Sequence, residues 1–95
     1  MATRRMVVSY DVCDDRKRVR LAKFLRGYVE RVQKSVFEGE IADRRLEPLR
    51  HGIQKIIDQA EDSVRLYTLC PRCQGATEII GTGVYVQAAD DDVAV

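Results

Sequence analysis

The stretch that decides the fold runs from Arg5 to Asp15 and reads Arg-Met-Val-Val-Ser-Tyr-Asp-Val-Cys-Asp-Asp. Its segment Met6–Val12 is rich in β-branched and aromatic residues, with one polar break at Ser9, which is typical of a central and largely buried strand. Asp11 lies inside this apolar context, where a carboxylate needs a polar partner if it is buried. We therefore predict a first strand that carries a carboxylate at its carboxyl end.

A helix is predicted directly after this strand. Asp14-Asp15 precedes three basic residues, and acids in the first turn favour a helix start. Up to about Tyr28, apolar residues recur on one face of a 3.6-residue helix. Arg16, Arg20 and Lys23 fall on the opposite face. The sequence thus predicts a helix that packs one side on a sheet and presents a basic surface on the other.

The remaining chain alternates between strand and helix patterns. We predict short strands at about Arg31–Gln33 and Ser35–Ile41, a helix from an N-cap at Asp43 to about Asp58, and strands at Ser63–Cys70, Thr77–Ile80 and Val84–Gln87. No glycine turn separates the first two strands, so their connection is either very tight or a kink. Pro48 removes one hydrogen bond from the second helix, unless that helix starts a few residues later. This order fits an α+β two-layer sandwich of the ferredoxin-like βαββαβ type.

Length and composition limit the class of protein. A chain of 95 residues is one domain, with residues 1–83 as the sandwich and residues 84–95 as an edge strand and acidic tail. No apolar run approaches ~18 residues and no apolar signal segment precedes the first strand, so we expect neither a membrane span nor export. Three cysteines are an odd number for a disulfide framework. A cytoplasmic protein is expected.

The charge is uneven along the chain. The net charge is only +1, but eight basic residues lie between Arg16 and Lys34 against Glu30 alone, and Asp90-Asp91-Asp92 lies near the end. Basic blocks of this kind favour a polyanionic partner. A solvated helix face explains the same pattern.

Two further features are candidate sites. Cys70-Pro71-Arg72-Cys73 has the spacing of half a zinc site or of a redox pair. Zinc needs four ligands, and a redox pair normally precedes a helix, which is not predicted here. A turn with incidental thiols is therefore favoured. His51 falls away from the apolar stripe of its helix and is expected in solvent.

The remaining candidate is Asp11. One carboxylate binds a divalent ion poorly, because such ions take several oxygen ligands. Two copies of the chain that meet at Asp11 would supply two carboxylates, which with phosphate oxygens would hold Mg²⁺ or Mn²⁺ and activate a water. An aspartate that only caps local backbone groups remains the alternative.

Three segments carry a resemblance to a known family: Val8-Ser-Tyr-Asp11-Val, Asp14-Asp15-Arg-Lys-Arg18 and Arg31-Val-Gln-Lys-Ser-Val-Phe-Glu38. Together they resemble CRISPR-associated protein 2, the small dimeric subunit that accompanies the CRISPR integrase. The likeness runs from about Met6 to Gly83. It differs at Lys34, where many relatives carry an aromatic residue, and at the early position of Gly27.

The resemblance implies a ferredoxin-like homodimer whose C-terminal strand adds to the partner's sheet. It implies Asp11 as the Mg²⁺ ligand shared across the dimer axis, with Tyr10 and Phe37 shaping a catalytic cleft. The residues that it links to nucleic-acid binding are Arg16, Arg18, Arg20, Arg31 and Ser35. The implied activity is metal-dependent endonuclease cleavage of single-stranded RNA or double-stranded DNA.

The same family has a second role, in which the dimer bridges integrase subunits and holds a DNA duplex during spacer acquisition. That role needs phosphate contacts and no cleavage. Two hypotheses therefore stand together: a metal-dependent nuclease and partner of the integrase, or a DNA-binding scaffold without catalysis.

Overall fold

The computed structural model describes residues 2–81, and these form a four-stranded antiparallel sheet with its main helices on one face. The elements in chain order are β1 (Thr3–Asp11), α1 (Asp15–Leu25), β2 (Glu30–Gln33), β3 (Val36–Ala42), α2 (Asp43–Ile56), β4 (Ser63–Leu69) and α3 (Pro71–Gly75). The spatial order of the strands is β2-β3-β1-β4. This is the predicted ferredoxin-like order, with β1 in the interior of the sheet.

The register of the sheet explains why β1 reads as a buried strand. Val8 lies between Phe37 of β3 and Leu66 of β4, and it is fully buried. Because side chains alternate along a strand, its even-numbered residues face the helices. The core residues beneath the helices are Met6, Val8, Tyr10, Val12, Leu21, Ala22, Leu25, Val29, Phe37, Ile41, Leu46, Leu49 and Ile53.

The two long helices approach closely at Gly52. A Cβ atom at that position would lie 2.1 Å from the Phe24 ring of α1. The missing side chain at Gly52 therefore allows α1 and α2 to pack. Pro48 lies inside α2, as predicted.

Three local predictions need correction. Asp43 does not cap α2, since Ala42 holds the N-cap position and the Asp43 carboxylate binds Arg4 at 3.0 Å. Thr77–Ile80 is not a strand, and α3 directly follows Cys70, where no helix was predicted. Within residues 2–81 the segment after α3 pairs with no strand, and Ile80 is 94% exposed.

Other boundaries agree to within a few residues. The β2–β3 connection is tight, with Lys34 and Ser35 alone between the strands, and His51 is exposed as predicted. In residues 2–81 no helix combines the length and the apolar character needed to cross a membrane. The predicted strand Val84–Gln87 and the acidic tail lie outside the described residues.

Candidate functional site

Asp11 ends β1 and lies beside Ser63 of β4. Strand alternation directs the preceding Tyr10 into the core, where it is 6% exposed, and leaves Asp11 exposed. Within residues 2–81 the Asp11 carboxylate has no hydrogen bond or ion pair from another side chain. It is therefore available to a ligand from outside the chain.

The β2–β3 turn is held against the end of β1 by Tyr10. The Tyr10 amide donates to the Ser35 carbonyl at 3.1 Å, and its hydroxyl donates to the Lys34 carbonyl at 3.1 Å. The Arg31 guanidinium donates to the same carbonyl through Nε at 3.2 Å and Nη2 at 2.8 Å. The Lys34 carbonyl thus fixes the turn beside Asp11.

Burial gives Tyr10 the character of a neutral hydrogen-bond donor. Desolvation raises the pKa of its phenol. The positive charge of Arg31 stabilises the phenolate and lowers this pKa, but by less than desolvation raises it. At neutral pH the phenol therefore keeps its proton and its bond to Lys34.

Phe37 and Arg31 lie beneath the site and not on its surface. Phe37 is fully buried, with its ring centroid 6.2 Å from that of Tyr10. It therefore does not line the cleft itself, although the resemblance implied that it helps to shape one. The Arg31 guanidinium carbon lies 5.6 Å from the Phe37 centroid, and the residue is 9% exposed. The nucleic-acid contact predicted for Arg31 is not favoured by this burial.

Arg18 closes the loop between β1 and α1. Its Nη1 donates to the carbonyls of Val12 and Cys13, at 2.9 Å each, and its Nη2 bonds to the Asp15 carboxylate. Asp14 caps α1 by accepting from the Lys17 amide at 2.9 Å. These contacts hold the loop together, and Arg18 lines the same cleft as Asp11.

The structure brings four of the predicted site residues together. Tyr10, Asp11, Arg18 and Ser35 line one open cleft of about 230 Å³, together with Val12 and Lys34. Lys34 is the main residue that sequence reasoning left out of the site. Its position in a two-residue turn is visible in the sequence, but the sequence does not show that this turn lies near Asp11. Only the pairing of β1 with β3 brings the turn there.

Arg16 and Arg20 lie outside the cleft lining, on the exposed side of α1 with Lys23. α1 begins four residues after Asp11, so the cleft and the start of this basic face are close along the chain. We call the exposed Arg16, Arg20 and Lys23 the α1 basic face. Exposed guanidinium and ammonium groups are suited to phosphate oxygens.

Within residues 2–81, the side chains of one chain do not make a divalent-metal site. In the part of the chain that the structure describes, no three His, Cys, Asp or Glu side chains lie together as a set of metal ligands. Asp11 alone supplies too few oxygens for Mg²⁺ or Mn²⁺. A metal at this position needs ligands from outside residues 2–81, which a second chain or a substrate would supply.

Comparison with known proteins identifies the family. Residues 4–77 match the family model described as CRISPR associated protein Cas2. The chain is 41% identical over 83 residues to the CRISPR-associated endonuclease Cas2 2 of Thermus thermophilus, covering 87% of this chain and 88% of that protein.

Two solved structures resemble the fold. One is Streptococcus pyogenes Cas2, 36% identical, with a TM-score of 0.70 and coverage of 81% of this chain and 99% of that one. The other is a chain of a partial Cas6-RT-Cas1–Cas2 complex, 31% identical, with a TM-score of 0.70 and coverage of 81% and 90%. The chain described here belongs to the CRISPR-associated protein Cas2 family.

Proposed function

We propose that this protein acts in CRISPR adaptation as a cytoplasmic homodimer that binds nucleic acid through its phosphates and assembles with the integrase. The observation that carries the proposal is the α1 basic face, on the same helix that places Arg18 in the lining of the Asp11 cleft. A related chain is part of a complex that contains Cas1, which supports the integrase as partner.

The binding mode follows from the residue types. Arg16, Arg20 and Lys23 are exposed and carry positively charged donor groups. Guanidinium and ammonium groups on a helix surface neutralise phosphates, and contacts to phosphates carry no sequence information directly. Arg18 uses most of its donors within the loop, so its contribution to phosphate binding is smaller.

The sheet offers a surface for a second copy. Its face opposite the helices carries Val7, Val36, Tyr67 and Leu69 by strand alternation, and Tyr67 is 46% exposed. Apolar and aromatic side chains of this kind favour a partner. The pairing of two chains also brings identical residues to one axis, which is how a single Asp11 becomes two carboxylates.

Metal-dependent phosphodiester cleavage is the second candidate. It is favoured by the exposed Asp11 carboxylate, which has no partner within residues 2–81, and by a relative named an endonuclease. In this proposal, Asp11 of each chain and phosphate oxygens bind Mg²⁺ or Mn²⁺, which when bound supplies a water of lowered pKa and charge stabilisation.

Residues in and beneath the cleft act on position and charge. Tyr10 and Arg31 hold the β2–β3 turn next to Asp11, and the Lys34 side chain is exposed on that turn. Its positive charge would offset phosphate charge near the paired carboxylates. The substrates to compare are single-stranded RNA and double-stranded DNA.

One experiment separates the two candidates. Wild type, Asp11→Ala and the matched surface control Glu78→Gln are incubated with labelled RNA or duplex DNA in Mg²⁺, Mn²⁺ or EDTA, and duplex binding is measured on the same samples. Metal-dependent cleavage that is lost only in Asp11→Ala supports the nuclease. Cleavage that survives Asp11→Ala belongs to a contaminant, and duplex binding without cleavage supports the scaffold.

Failure to bind either nucleic acid would overturn the proposal. Size-exclusion chromatography with light scattering tests the homodimer on the same preparations. A monomer at micromolar concentration would remove the paired Asp11 site and, with it, the cleavage mechanism.

A further inference from the structure

The two cysteines around α3 belong to neither proposed activity. The sequence favoured a turn with incidental thiols because no helix was predicted after Cys70. The structure removes that reason, since α3 starts at Pro71 and Cys70 holds its N-cap position. The question becomes what two thiols in this arrangement can do.

The two cysteines of the pair are in direct contact. The Cys73 amide donates to Cys70 Sγ at 3.3 Å. Both residues are exposed, so a reagent can reach them. We propose that Cys70 and Cys73 form a reversible dithiol–disulfide couple that a low-molecular-weight disulfide oxidises.

The surroundings keep this geometry. The Gln74 amide side chain donates to the Glu40 carboxylate of β3 at 3.3 Å, which attaches α3 to the sheet. The Thr77 hydroxyl donates to the Cys73 carbonyl at 2.9 Å. Cys70 also borders an open cleft of about 420 Å³ that runs between β1, β3 and α3, which gives a small disulfide access.

The two thiols differ in pKa. The hydrogen bond from the Cys73 amide lowers the pKa of Cys70, while the neighbouring Cys70 sulfur raises the pKa of Cys73. The thiolate is the attacking form in disulfide exchange. Cys70 is therefore the attacking residue and Cys73 the resolving residue.

The reaction balances with the disulfide reagent as oxidant. The Cys70 thiolate attacks one sulfur of RSSR, the S–S bond breaks, and RS⁻ leaves with its electron pair and takes a proton. Cys73 then loses its proton to solvent and attacks the Cys70 sulfur, which releases the second thiol. The dithiol is oxidised to a disulfide, and one RSSR is reduced to two RSH.

Cys13 is the internal control. Cys13 follows the carboxyl end of β1, whereas Leu69 and Cys70 lie at the other end of that strand, where Leu69 pairs with Arg5. The length of β1 between these two ends is about 20 Å at the rise of a β-strand. An intramolecular bond between Cys13 and either partner is therefore excluded. Cys13→Ser should leave the couple intact.

The test uses the full-length protein with glutathione disulfide. After oxidation and alkylation, wild type and Cys13→Ser should each lose two alkylatable thiols and two hydrogen atoms of mass, with peptide mapping linking Cys70 to Cys73. Dithiothreitol should restore both thiols. Cys73→Ser should stop at one glutathione on Cys70, which the missing resolving thiol cannot release.

Three results would overturn the proposal. These are retention of all three alkylatable thiols, glutathione added equally to Cys13 and Cys70 in the wild type, or zinc bound stoichiometrically to the two cysteines. Circular dichroism of each variant checks that the protein is folded when its thiols are counted. The readout is thiol chemistry alone, so it is independent of nucleic-acid binding and cleavage.

Discussion

The Tyr10 hydroxyl donates a hydrogen bond of 3.1 Å to the backbone carbonyl of Lys34, and this bond links the buried strand β1 to the exposed turn beside Asp11. This hydrogen bond matters for the site because Tyr10 directly precedes Asp11 in β1. A buried aromatic residue thus positions a surface turn.

Removing this hydroxyl should cost stability without removing the core. In Tyr10→Phe the ring stays, and Arg31 still satisfies the Lys34 carbonyl, so we expect a loss of about 0.5–1.5 kcal/mol. Urea denaturation measures it. The control Tyr67→Phe removes a hydroxyl from an exposed ring and should change the free energy of unfolding by less than about 0.5 kcal/mol. Equal losses in both variants would contradict the role of the Lys34 hydrogen bond.

Alkaline pH should destabilise the fold through the same phenol. Burial raises the pKa of Tyr10 in the folded state, so the unfolded chain loses this proton first, near pH ~10. The stabilisation is therefore complete below that pH and is lost as the pH rises towards the raised value. Urea denaturation at about pH 9, 10 and 11 should show the difference between wild type and Tyr10→Phe shrinking. A difference in unfolding free energy between wild type and Tyr10→Phe that stays constant with pH would contradict this prediction.

The approach of α1 and α2 should not tolerate a methyl group at Gly52. The new Cβ would lie 2.1 Å from the Phe24 ring, so Gly52→Ala should destabilise the protein by about 1–3 kcal/mol, since a packed core resists added volume. Gly75→Ala is the matched control, because no atom lies within 4 Å of its new Cβ. Thermal unfolding of both variants should show a lower Tm for Gly52→Ala alone.

Arg18 should contribute more to stability than to nucleic-acid binding. Arg18→Met leaves the Val12 and Cys13 carbonyls without their donor, and we expect a loss of about 1–3 kcal/mol. Lys17→Met changes the neighbouring charge while keeping the loop bonds. If Arg18→Met unfolds like wild type in urea but binds duplex weakly, the prediction is wrong and the main interaction of Arg18 is with phosphate.

Duplex binding should depend on salt through the α1 basic face. If Arg16 and Arg20 each bind one phosphate, Arg16→Ala and Arg20→Ala should each reduce the slope of log K against log salt by about 1, with little dependence on sequence. Arg72→Ala removes an exposed arginine from α3, beyond the other end of β1, and should leave the slope unchanged. Fluorescence anisotropy over a salt series measures all three variants, and an equal effect of Arg72→Ala would place the duplex elsewhere.

Local patterns in the sequence determined the four strands of the sheet, the two long helices and the order that selects the sandwich. They did so because apolar periodicity reflects which side of each element is buried. The motif around Asp11 also identified the family. The exposure of the α1 basic face followed from the same periodicity.

Only the tertiary structure decided what surrounds Asp11. The pairing of β1 with β3 brings the Lys34 turn to the site and turns Arg31 and Phe37 beneath it, and sequence spacing does not report contacts between strands that are distant along the chain. The same holds for α3: the apolar run Thr77–Ile80 has the composition of a strand, but a strand also needs a neighbour for its backbone hydrogen bonds, and residues 2–81 provide none.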